Sequence, residues 1–262
     1  MQKVSIEYSI VSHGTEKYNN HGYIAISKIY DSNRYILNVD HNIKETTLNN
    51  GYLKTKSCYD IENIVFSRFQ LITALTFERI KHRINDNILL LGLGNIGISC
   101  LMYLLDNKFK NITIYIRNKS DRIFNLLKLV KTNYNVDINI ISEFNYNYKY
   151  NTYIDTTGDS LVLNNIFNNS DFNNTIIILS TPRDEKYLIS PLIINRKNLT
   201  VIGGHELNGI NVKLRQHIFE KILKVNKTKK FLKEFINEYN YSDEKLKNIK
   251  QQKSNFIEIF KY

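Results

Sequence analysis

Residues 88–97 read ILLLGLGNIG. Four apolar residues run into Gly92, Gly94 and Gly97, and an apolar, helix-like segment continues through Leu105. That order is a strand, a tight turn and a helix N-terminus. It lets main-chain N–H groups approach a pyrophosphate and hold it at the positive end of a helix dipole. Gly92, Gly94, Asn95, Ile96 and Gly97 are therefore the first candidate cofactor-binding residues. The 18 residues Ile88 to Leu105 carry no charge, which is long enough to span a bilayer. Three glycines, Asn95 and Ser99 inside that run favour the strand–turn–helix over a membrane span.

Downstream, strands and helices alternate. Strands are expected at Ile112 to Ile116, Val136 to Ile141, Tyr153 to Thr156, Thr175 to Leu179 and Leu199 to Ile202. Asp121 is expected to cap a helix through Val130, and Leu161 to Phe167 forms another. Several strands end in small or polar residues: DTTG (155–158), STPR (180–183) and GGHE (203–206). This alternation predicts an α/β fold with a doubly wound parallel sheet of the Rossmann type. Ligands of such sheets sit outside the carboxyl ends of the strands. Thr156, Thr157, Ser180, Thr181, Gly204 and His205 are thus expected cofactor neighbours.

Upstream, short β-rich runs (Val4 to Val11, Tyr23 to Tyr30, Arg34 to Val39, Gly51 to Lys54) are separated by the turn signals NNHG, DSN and NNG. They predict a small sheet or partial barrel, followed by a helix from Asp60 towards Arg83. The tail reads as helix (Val212 to Leu223), strand (Phe231 to Ile236), helix (Ser242 to Gln252) and strand (Phe256 to Phe260). The Asn- and Tyr-rich stretch 145–151 reads as a solvated loop.

The chain has 262 residues and a formal charge of +11. No basic run is dense enough to be a nucleic-acid arm, so the charge is read as attracting phosphorylated cofactors or acidic substrates. Cys58 and Cys100 are too few for a disulfide framework or a four-cysteine zinc site. The opening MQKVSIEYSIVSHG lacks the basic-then-apolar pattern of an export signal, and a cytoplasmic location is expected.

The end of the second nucleotide strand separates the dinucleotides. A carboxylate there favours NAD, whereas an arginine accommodates a 2′-phosphate. This chain has Arg117, Asn118, Lys119 and Ser120, with Arg122 close behind. A guanidinium makes paired, charge-assisted contacts to phosphate oxygens, so NADPH is expected over NADH. The alternative is that Arg117 stacks on adenine or lies in solvent.

The glycine turn, DTTG, VIGG (201–204) and the trailing helix–strand–helix–strand order resemble the medium-chain dehydrogenase/reductase, or alcohol dehydrogenase, superfamily. At the front, VSHGTE (11–16) is similar to its C-G-T-D/E turn and HGYIAISKI (21–29) to its G-H-E-x-x-G-x-V strand. FSRFQLITAL (66–75) is similar to the segment entering the nucleotide domain. The pattern is nearest in flavour to the bacteriochlorophyllide dehydrogenase-like branch. The resemblance implies a shortened GroES-like catalytic domain (1–86), a Rossmann domain (87–206) and a C-terminal segment (207–262) returning to the catalytic domain. His13 stands where the family's first zinc-ligand cysteine falls, and Tyr23 and Ile24 replace its His-Glu pair. No zinc is therefore expected. Thr15 matches the relay hydroxyl, and His13 becomes the proton-donor candidate because imidazole titrates near neutral pH. These two are the catalytic candidates.

The expected activity is hydride transfer to a carbonyl or activated C=C of a small molecule. Two alternatives stand beside it: a catalytically degenerate nucleotide-binding or scaffold protein, and a tailoring reductase of dehydroamino acids. The superfamily also implies homodimers joined through the sixth nucleotide strand, here Leu199 to Ile202.

Overall fold

The computed structural model describes residues 2–12, 22, 24–29, 32–48, 51–80, 86–117, 120–144, 149–182, 186–205, 211–251 and 257–262. The chain divides into two compact units, one of residues 1–71 with 207–262 and the other of residues 72–206.

The second unit is built on β6 (Ile88–Leu91), β7 (Ile112–Tyr115), β8 (Asn139–Ile141), β9 (Thr152–Asp155), β10 (Thr175–Ile178) and β11 (Thr200–Gly203). These form one sheet in the order β11-β10-β9-β6-β7-β8, every pair parallel. That is the doubly wound order, in which the chain changes direction across the sheet between β6 and β9. β6, β7 and β9 are buried at every residue, as central strands covered on both faces should be. Helices α2 (Asn95–Asp106), α3 (Asp121–Tyr134), α4 (Ser160–Asn169) and α5 (Pro191–Lys197) connect them. α3 is capped by Ser120, whose side chain accepts from Ile123 N. Asp121 instead lies in the first turn, where its charge complements the helix dipole. The expected helix at 161–167 is longer, because Asp159 caps it with bonds from Leu161 and Val162. Tyr134 donates to Asp106 at 3.0 Å, tying α3 to α2.

The first unit holds β1 (Lys3–Val11), β2 (Ile24–Lys28), β3 (Asn33–Leu37), β4 (Glu45–Thr47), β5 (Leu53–Lys56), β12 (Ile236–Asn240) and β13 (Ile257–Lys261). Its sheet runs β12-β13-β1-β2-β3-β5, with β4 paired to β1. All pairs are antiparallel except β12 with β13. The C-terminal strand therefore inserts beside the N-terminal one. Helix α6 (Val212–Asn226) and α7 (Asp243–Gln251) belong to this unit. Asn226, fully buried, donates to Ser67 Oγ at 2.9 Å and to Gln70 Oε1 at 2.6 Å. Those two acceptors lie on α1 (Ile61–Glu78), in the part of it that belongs to this unit.

Of the strand expected at Phe231 to Ile236 only Ile236 is strand: Lys230–Phe235 form a 3₁₀ helix, and β12 begins at Ile236. The buried side chains are Leu232 and Phe235, three apart. That spacing matches one 3₁₀ turn. β4 and α5 are elements the sequence pattern did not mark.

Candidate dinucleotide site

The three glycines have three different jobs. Gly92 leaves β6 with φ +90°, a conformation costly for any residue with a side chain. Its N–H donates to Tyr115 O at 3.0 Å. Gly97 lies in the first turn of α2, where an added Cβ would fall inside the Gly92 carbonyl and 2.8 Å from Thr156 Oγ1. Helix and turn can close only because that Cβ is missing. Gly94 differs from both: nothing lies within 4 Å of where its Cβ would stand. It is the N-cap of α2 in extended conformation, and no side chain caps the helix there. The result is open space in front of a helix N-terminus, which fits an anion approaching the backbone closely.

The turn is braced from β9. Thr156 donates its hydroxyl to Leu91 O at 2.7 Å and lies 3.2 Å from Gly92 O, and its N–H donates to Leu91 O at 3.0 Å. Asp155, fully buried at the end of β9, is the centre of a second brace. Its Oδ1 accepts from Thr157 N at 2.9 Å and Thr157 Oγ1 at 2.6 Å, and its Oδ2 accepts from Ser180 Oγ at 3.0 Å. Burial raises the Asp155 carboxyl above the usual carboxylate range, while these hydrogen bonds oppose the rise. Thr157 and Ser180, expected to face a cofactor, thus direct their hydroxyls at Asp155. Thr181 is exposed.

Arg117 lies at the end of β7, its side chain 62% exposed, with Nη1 2.8 Å from Asp159 Oδ2. The other oxygen of Asp159 caps α4. Arg117 therefore does not simply project into solvent; a carboxylate from the loop after β9 orients it. Asn118 and Lys119 lie outside the described residues, as does the side chain of Arg122. His13 and Thr15 also lie outside them, as do Glu16, His21 and Tyr23. Gly204 is explained by packing, since a Cβ there would strike Leu179 and stand 2.5 Å from Thr76 Oγ1. His205 is exposed beside it. Asn95 and Ile96 are half-buried at the mouth of the turn.

Asp155 and Asp159 escaped selection as site residues. The signal available was an aspartate ending an apolar strand and followed by small hydroxyl residues, a pattern needing a buried acceptor. His41 is 3% exposed in the first unit, with Nδ1 3.0 Å from Ser9 Oγ. The hydroxyl of Tyr262 donates to the His41 carbonyl and lies 2.9 Å from Ser9 Oγ. The imidazole pins this loop to β1, and the main-chain carbonyl of His41 ties it to Tyr262. Among the described residues no three His, Cys, Asp or Glu side chains gather as metal ligands. Among them, too, no helix is long and apolar enough to cross a membrane.

No protein-family model and no curated sequence matches the chain. Solved structures do. Galactitol-1-phosphate dehydrogenase from Escherichia coli superposes with TM-score 0.73 at 13% identity, over 99% of this chain and 92% of that one. Bacillus subtilis yhfP with NAD bound gives 0.74 at 11% identity, over 99% and 90%. S. aureus TarJ in complex with NADPH gives 0.67 at 15% identity, over 99% and 90%. The chain shares the fold of these proteins. Within that fold the sheet of residues 72–206 is the Rossmann unit, and the antiparallel sheet is the second unit that accompanies it.

Proposed function

We propose that the chain is an NADPH-dependent oxidoreductase that works without zinc and reduces a carbonyl or activated carbon–carbon double bond of a small organic molecule. The observation that carries this reading is the turn itself: an open position at Gly94, in front of an uncapped helix N-terminus, on the doubly wound sheet. When bound, the nicotinamide supplies hydride. The main-chain groups at the start of α2 would hold its pyrophosphate, and Arg117 its 2′-phosphate. Asp159 keeps that guanidinium in place and also offsets part of its charge. His13, two residues before Thr15 in the sequence VSHGTE, is assigned the proton donation that reduction of a carbonyl requires. A soluble cytoplasmic homodimer fits this reading, with β11 at the sheet edge and Val201 exposed on it.

Fluorescence titration of the protein with NADPH and NADH tests the cofactor assignment. Tighter NADPH binding supports it; tighter NADH binding, or no binding of either, overturns it. Loss of NADPH absorbance with a panel of aldehydes, ketones and enones then tests the activity. His13→Ala is expected to lower turnover at least 100-fold with cofactor affinity unchanged. Binding without turnover on any substrate would favour the nucleotide-binding scaffold instead.

A further inference from the structure

The first unit contains a cavity of about 930 Å³ between β5 and α6 that the nucleotide reading leaves unused. Five lysines line it, Lys54, Lys56, Lys213, Lys224 and Lys227, against a single carboxylate among the described lining residues, Glu220. Residues 213, 217, 220, 224 and 227 follow one another at spacings of four and three, which puts them on one stripe of the helix and its end. The cationic lining is thus a property of one helix face set over one strand. It is not a by-product of the chain's diffuse positive charge.

The two walls are locked together. Gln216 Oε1 accepts from Lys54 N at 2.9 Å, and Gln216 Nε2 donates to Lys54 O at 2.7 Å. The amide pairs with edge strand β5 much as a neighbouring strand would. The same Nε2 lies 2.7 Å from Glu220 Oε1, so the one carboxylate already has a partner. Thr55, 7% exposed in the β5 wall, has a buried hydroxyl with no hydrogen-bond partner among the described atoms. Such orphaned groups are rare in folded proteins, and a ligand oxygen would satisfy this one only if the side chain turned toward the cavity. Tyr52 and Tyr59 add aromatic surface, with the Lys227 ammonium 5.7 Å from the Tyr59 ring centre.

We propose that this cavity binds a small phosphate-bearing anion, its phosphates on the α6 lysines and its body against Tyr52 and Tyr59. Several ammonium groups around one concave, partly apolar site raise the local potential and select for multiple negative charge. A phosphate ester supplies that charge in a volume the cavity accommodates. The site is separate from the glycine turn in sequence and in unit, and does not depend on the cofactor reading.

Isothermal titration of the intact chain with inorganic pyrophosphate tests it. The expected result is saturable binding that weakens at least tenfold in the Lys213→Gln/Lys224→Gln double variant. Thr55→Val should weaken it severalfold, and raising the salt should weaken it further. Gly94→Asp, which obstructs the turn, should leave it unchanged. Three results would overturn the proposal: no saturable binding, binding that survives the lysine changes but is lost with Gly94→Asp, or equal binding of succinate. Melting curves of each variant confirm that the fold persists, and the conservative Lys213→Arg/Lys224→Arg pair should restore binding.

Discussion

Two regions are proposed to receive negative charge, the turn at 92–97 and the cavity beside α6, and they are made from opposite materials. The turn uses main-chain N–H groups fixed by the backbone, and its selectivity comes from side-chain atoms that are absent. The cavity uses ammonium groups at the ends of flexible stems, and its selectivity comes from side chains that are present. Backbone donors pay no side-chain ordering entropy on binding, whereas each lysine immobilised by a ligand does. The first region should therefore fail when an atom is added, and the second when a charge is removed. Salt should separate them as well, because exposed ammonium groups are screened over about 8 Å at physiological ionic strength.

The sharpest way to break this comparison is at Gly97. Any side chain there meets the Gly92 carbonyl and the Thr156 hydroxyl, so Gly97→Val should cost about 3 kcal/mol or more by overpacking. It should also abolish cofactor binding; denaturant melts and titration check both. A Gly97→Val protein as stable as the parent would mean that α2 and the turn are not in contact.

Asp155 comes next. Asp155→Ala leaves Thr157 N and two hydroxyls without their acceptor, a loss of about 2–3 kcal/mol. Asp155→Asn keeps an acceptor for Thr157 and can meet Ser180 with its amide, so the loss should be under about 1 kcal/mol. The two variants also separate on pH. Because burial raises the carboxyl of the folded protein, its stabilising contribution is complete below the unfolded carboxylate value of about 3.9. That contribution is lost as pH rises through the raised folded value. Urea melts at pH 4 and 7 should show this fall in the parent and not in Asp155→Asn.

A smaller effect is expected at Arg117. Arg117→Ala should narrow the preference for NADPH over NADH about tenfold, near 1.4 kcal/mol, with stability almost unchanged because the Asp159 ion pair is solvent-exposed. Smallest is Asp159→Asn, which keeps the α4 cap but removes a charge from Arg117. NADPH affinity should rise two- to fivefold, a change under about 1 kcal/mol.

The contrast also shows what could be read from the residues. The Rossmann sheet was legible because its signals are local: apolar runs of four, glycines at the turn and capping residues at the helix starts. The parallel pairing of its strands followed from the alternation of strand and helix. The antiparallel sheet was legible only as a set of strands. Insertion of β13 beside β1 joins residues some 250 positions apart, such as Ser9 and Phe260, and no periodicity encodes that. The 3₁₀ turn at 230–235 was hidden because its phenylalanines suit a strand, while one turn is too short to display a helical period.

At the site, the glycines and Arg117 were visible as types in sequence. Their division of labour was not, since it depends on which atom lies opposite each missing Cβ. The roles of Thr157 and Ser180 were hidden for the same reason. Hydroxyls at strand ends suggest a ligand, yet here the buried Asp155 carboxylate takes them. The lysine cavity was invisible because β5 and α6 are about 160 residues apart in the chain, as the pairing of Lys54 with Gln216 shows.

The most direct test of the account is NADPH titration of Gly94→Asp beside the parent, with a melting curve for each. Nothing in the fold occupies the space a side chain would take at residue 94, and an aspartate there meets the pyrophosphate with both bulk and charge. The account predicts a melting temperature within about 2 °C of the parent, as an N-cap Asp is well tolerated, and NADPH affinity at least 100-fold weaker. Undiminished NADPH binding in a folded Gly94→Asp protein would contradict it.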